Sequence, residues 1–151
     1  MNDFPWRVRV SSVEGETARV SARRLQFTVG RPLEFDPESG HLTALEYVLG
    51  AVGAEIVSGL RVFAKRRRLE IDNVEAVVDG TLDNPLTYLE VIGETGHPGL
   101  SRLSVRVYVA SPHDEPTLRR LWDDTLARLP LVRTLRDAGS VRFDLDLTMT
   151  E

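Results

Sequence analysis

Read by the spacing of its hydrophobic positions, the chain changes period several times. Trp6, Val8 and Val10 alternate with Arg7 and Arg9, and Leu25, Phe27 and Val29 repeat the pattern after Glu14-Gly15-Glu16. A period of two marks half-buried antiparallel strands, so two or three strands are predicted here. A loop with two prolines and two glycines follows over residues 30–41. Then the period lengthens. Thr43-Ala44-Leu45-Glu46 fits a capping box, and every residue from Tyr47 to Ala54 is apolar or glycine. This predicts a helix wetted on no side for two turns. It ends in Lys65-Arg66-Arg67-Arg68, cations placed where the negative end of a helix dipole favours them.

Strand-like runs resume over 74–82 and 103–109, separated by a loop punctuated by Asn84-Pro85, Gly93, Gly96, Pro98 and Gly99. Asp114-Glu115-Pro116 opens a second helix, with Leu118, Leu121, Trp122, Thr125 and Leu126 at helical spacing. Pro130 starts a short third helix, stopped by Gly139. A last strand turns Val141, Phe143, Leu145, Leu147 and Met149 inward. Segregated runs of strands and helices imply an α+β fold, read as one domain over residues 1–151.

Composition narrows the chemistry. With 151 residues and a net charge of −4, a generally basic, nucleic-acid-coating protein is not expected, and the basic run reads as a solvated helix end. The chain has no cysteine, which removes disulfides, thiolate metal sites and thiol catalysis. Residues 44–64 are interrupted by Glu46, Glu55, Ser58 and Arg61, so a core helix is expected and not a membrane span. The N-terminal residues lack the layout of a secretory signal, and a cytoplasmic location is expected. His41, His97 and His113 lie far apart without ligand spacing, so neither metal nor cofactor is expected.

The order of elements and two local sequences together resemble the OsmC/Ohr family of osmotically inducible and organic-hydroperoxide-resistance proteins. The stretch Thr43-Ala44-Leu45-Glu46-Tyr47-Val48-Leu49-Gly50-Ala51-Val52-Gly53-Ala54-Glu55 is similar to the family's Pro-Glu-Glu-Leu-Leu-x-Ala-Ala-x-Ala-Ala-Cys helix start. Leu126-Ala127-Arg128-Leu129-Pro130-Leu131-Val132 is similar to its Cys-Pro-Val segment. The resemblance implies an intertwined homodimer around two central helices. It places the peroxidatic cysteine at Glu55 and the resolving cysteine at Leu129. The activating glutamate falls on Leu45, and its partner arginine among Arg7, Arg9, Arg19, Arg23 and Arg24. Neither a carboxylate nor a leucine can form a sulfenic acid, so the fold is expected without peroxidase activity.

Glu55 then has two readings. It is a pocket acid, serving as general base or ligand anchor, or it is the structural partner of an arginine. Glu46 is explained by the capping box, and His41 abuts the helix start where a pocket could open. Candidate binding residues are Glu55, Leu129, Leu45, Glu46 and His41; Glu55 and Leu129 would line a small dimer-interface pocket, serving a small apolar ligand or a structural role, with Glu55 the candidate for catalysis. The alternative is an enzyme using Glu55 as acid or base on a small apolar substrate. Gly50, Gly53 and Gly59 are costly inside a helix and call for close neighbours, from the sheet or across a two-fold axis.

Overall fold

The computed structural model describes residues 3–151. They form two compact units, Met1–Val48 and Leu49–Glu151, divided within the long helix. In the first unit, β1 (Arg9–Ser12), β2 (Ala18–Ala22) and β3 (Leu25–Val29) make an antiparallel meander in the order β1-β2-β3. Val10 pairs with Val20 and Val20 with Phe27, so the apolar residues of the alternation share one face. Trp6 and Val8 fall outside this sheet, contrary to the alternation, and both are exposed. The reason is register. Arg9 already pairs with Ser21 and β2 ends at Ala22, so the same register leaves Val8 only the last β2 residue and carries Trp6 past the strand into the β2–β3 turn.

Helix α1 (Ala44–Arg66) opens on the predicted box in a modified form. The Glu46 N–H donates to Thr43 Oγ1 at 3.1 Å, and the same hydroxyl donates to Glu46 Oε1 at 3.2 Å. Thr43 is buried, which leaves its hydroxyl as the group the carboxylate must satisfy.

The second unit is built on a sheet in the order β4-β5-β6, formed by β4 (Asn73–Leu82), β5 (Leu100–Ala110) and β6 (Arg142–Thr150). Central β5 buries Leu103, Val105, Val107 and Val109, the residues its alternation turns inward. β4 is antiparallel to β5, whereas β6 is parallel to it. A parallel neighbour needs a long crossover, supplied here by α2 (Glu115–Leu126) and α3 (Pro130–Ala138). Val52, Ile56 and Leu60 of α1, Leu121, Trp122 and Leu126 of α2, and Val132 of α3 complete one core with the sheet.

α1 is not buried all round, as its apolar run predicts. Val52, Gly53, Ile56, Gly59, Leu60 and Ala64 face the core. On the other side Val48 (43% exposed), Ala51, Ala54, Ser58 and Val62 (44%) face outward. One sheet covers only one side of a helix, so the remaining apolar side is left open within this chain. By length and composition α1 could cross a membrane, and 33% of its most apolar stretch is buried inside this fold.

The glycines divide along the same line. A Cβ at Gly53 would lie 2.9 Å from Val78 Cγ2, and one at Gly59 would lie 2.6 Å from Leu129 Cδ2. At Gly50 it would meet nothing within 4 Å. Intrachain packing therefore explains two of the three. Because Val78 is stiff at χ1, Gly53→Val should lower unfolding stability by about 1–3 kcal/mol. A urea midpoint equal to wild type would show that α1 and β4 are not so closely packed.

A carboxylate clamp at the start of the third helix

The start of α3 lacks the usual provisions for its free amides. Its N-cap is Leu129, which has no side-chain acceptor, and the next residue is Pro130. Pro130 at N1 has no N–H to satisfy, but the amides of Leu131 and Val132 still need acceptors. Both find them on one distant side chain. Leu131 N–H donates to Glu55 Oε1 at 2.7 Å, and Val132 N–H donates to Glu55 Oε2 at 2.9 Å. The helix's own ladder begins one residue later, with Arg133 N–H donating to the Leu129 carbonyl at 3.0 Å. Gly139 closes the far end in the left-handed region at φ 69°.

Glu55 therefore replaces the missing N-cap side chain across 76 and 77 positions of sequence. Its charge also sits at the positive end of the α3 dipole, which favours an anion. Neither sequence reading of Glu55 foresaw this partner. Among the described residues no arginine pairs with it, and the strand arginines Arg7, Arg9, Arg19, Arg23 and Arg24 are all exposed. The family resemblance implies an arginine partner, whereas the demand here comes from the main chain. A proline after a residue that cannot cap is the signal that points to it.

Leu129 lies 5% exposed with its methyl carbons over Gly59, one turn beyond Glu55 on α1. The structure thus brings Glu55 and the Leu129–Val132 turn together. The other candidates lie in the first unit. Glu46 and His41 line a shared recess of about 430 Å³ with Glu34 and Asp36. Leu45 is half-buried on the first turn of α1. Among the described residues, no group of three or more His, Asp or Glu side chains is placed to hold a metal ion.

The first unit also holds an apolar cleft of about 590 Å³, lined in part by Val10, Val20, Phe27, Val29, Ala44 and Tyr47. Tyr47 is fixed at its wall. Its hydroxyl donates to the Thr28 carbonyl at 2.9 Å, and its ring stacks on Phe27 with centroids 5.0 Å apart. Val10, Phe27 and Val29 follow the strand alternation and Ala44 and Tyr47 the helix pattern, but neither pattern marks a cleft between them. The common face of Val10, Val20 and Phe27 was the available clue.

Glu55→Gln tests the clamp. The amide keeps one acceptor oxygen and sets an NH₂ donor against the other backbone donor. The expected loss is about 1–3 kcal/mol of unfolding stability. A denaturation midpoint unchanged at neutral pH would remove Glu55 from the support of α3.

The OsmC-like protein family model matches residues 37–144, which hold α1, β4, β5, both crossover helices and only the start of β6. No curated protein matches the chain in sequence. Solved structures match in fold. An OsmC-like protein from Mycoplasma pneumoniae superposes with a TM-score of 0.82 at 16% identity, over 99% of this chain and 100% of its own. An organic hydroperoxide resistance protein OsmC from Legionella pneumophila gives 0.65 at 15% identity, over 97% and 99%. The organic hydroperoxide resistance protein OhrB of Bacillus subtilis gives 0.61 at 18% identity, over 96% and 98%. With this α+β architecture and a family model spanning most of its length, the chain belongs to the OsmC-like proteins.

Proposed function

We propose that this protein is a homodimeric, cytoplasmic member of the stress-related OsmC/Ohr group that carries out no thiol peroxidase turnover and holds a small apolar ligand. The observation that carries the proposal is the state of the two positions where the family resemblance puts cysteines. Glu55 has both oxygens engaged by the α3 amides, and Leu129 is packed into the core against Gly59. Peroxide reduction through a sulfenic acid needs a sulfur nucleophile, and the chain has none. The same two hydrogen bonds weigh against the rival reading of Glu55 as a free acid or base. A proton shuttle needs an oxygen available to substrate.

Support for the dimer comes from α1. Val48, Ala51, Ala54 and Val62 give its outward face an apolar character that the chain itself leaves uncovered. A second copy of the same helix, related by a two-fold axis, is a self-complementary cover for such a strip. The ligand reading rests on the cleft of about 590 Å³ beside Phe27 and Tyr47, a size and lining suited to a small apolar molecule.

One preparation tests the dimer and the chemistry together. Light scattering should return twice the chain mass at micromolar concentration, and Val62→Glu should shift the mass toward the monomer. The same dimer should show no dithiol-dependent consumption of hydrogen peroxide or an organic hydroperoxide above buffer. A wild-type monomer would refute the helix-face interface, and turnover would refute the chemical argument.

A further inference from the structure

The basic end of α1 does not behave as one solvated run. Arg66 and Arg67 set their guanidinium groups over the Phe63 ring, at 5.1 and 5.4 Å from its centroid. Arg67 also reaches Asp124 Oδ2 at 3.3 Å. Lys65 and Arg68 are different. Among the described residues their side chains make no hydrogen bond, ion pair or ring contact. Together with Arg61 they line a cleft of about 470 Å³, whose other walls are Ala64, Leu69, Ile71 and Glu70. Arg61 is anchored there by donating to the carbonyls of Ile71 and Asp72, at 3.3 and 3.4 Å.

The frame behind these cations is fixed. Arg68 N–H donates to the Lys65 carbonyl at 3.1 Å, and Leu69 N–H donates to the Ala64 carbonyl at 2.9 Å. This pair of bonds closes a helix through a left-handed residue, a place that glycine usually takes. Here Arg68 occupies it, at φ 57°. An arginine in that conformation is strained where glycine would not be. Glu70 is then pinned through its main chain. Its N–H donates to His113 Nε2 at 2.9 Å, and its carbonyl accepts from the Ser111 hydroxyl at 2.7 Å.

Arg61 and Lys65, spaced i,i+4, repel each other on the helix surface. Arg68 adds a third positive charge to the same cleft and a strained backbone with it. The only carboxylate in the lining is Glu70. A strained backbone beside three clustered positive charges is what a binding site retains against stability.

We propose that this cleft binds a small organic phosphate, a monoester with a compact apolar body. Its dianion lies between Lys65, Arg68 and Arg61, where charged donors make strong hydrogen bonds to phosphate oxygens. The apolar body packs on Ala64, Leu69 and Ile71. Glu70 in the lining and the chain's net charge of −4 oppose a long polyanion such as nucleic acid. The site shares no residue with the Glu55 clamp or the apolar cleft of the first unit.

Phenyl phosphate is the probe, followed by amide chemical shifts of the full-length wild-type protein. Shifts should be confined largely to residues 61–71 and should saturate at lower concentration than with inorganic phosphate or phenol. Lys65→Gln should weaken binding by at least about tenfold. Arg68→Gly should weaken it similarly while leaving the thermal midpoint unchanged or higher, since glycine relieves the left-handed strain. No shift at these residues up to about 10 mM phenyl phosphate would overturn the proposal. So would full binding by Arg68→Gly, or a response to oligonucleotides or anionic vesicles with none to phenyl phosphate.

Discussion

The second unit depends on two amides at the start of α3 that the helix itself cannot satisfy. Leu129 has no capping oxygen, so the turn into α3 holds its place only if another part of the chain supplies an acceptor. Glu55 supplies both oxygens, and in doing so ties the middle of α1 to the crossover that makes β6 parallel to β5. Charged hydrogen bonds of this kind contribute about 1.5–3 kcal/mol each, a large share of the about 5–15 kcal/mol that keeps a domain folded. Gly59 belongs to the same arrangement. Its missing Cβ lets Leu129 settle onto α1 one turn beyond Glu55, and the two contacts together fix the approach of the crossover.

That constraint also frames the chemistry. A position facing the N-terminus of a helix favours any anion, a carboxylate as readily as a thiolate. In this chain the favourable field holds a glutamate whose two oxygens support the start of α3. The protein thereby keeps the family architecture while the local electrostatics serve folding. The apolar outer side of α1 is the complementary feature, because the clamp secures its inner side while the outer side stays uncovered within this chain.

Much of this was legible in the sequence, for identifiable reasons. Alternation located β4, β5 and β6 closely because their inward residues, such as Leu103, Val105 and Leu147, are truly buried. Pro130 and Gly139 marked both ends of α3. The alternation overstates the extent of β1 because it runs on through Val8 and Trp6, where the partner strand is at its last residue and then turns. The apolar run overstates the burial of α1 because one sheet covers only one side of a helix. Glu55 stands out in the sequence as a carboxylate inside an apolar helix, but its partner does not, since Leu129-Pro130 signals an uncapped helix start without saying which side chain supplies the acceptor. Arg68 was likewise read as one of four cations, and only its backbone angle sets it apart.

The most direct measurement of the account's centre is amide hydrogen exchange at Leu131 and Val132, compared between wild type and Glu55→Ala under native conditions. Slow exchange is expected at both amides in the wild type. In the variant both should exchange at least about tenfold faster, with β5 amides slowed or sped only as far as global stability changes. Equal protection of Leu131 and Val132 in the two proteins would contradict the clamp.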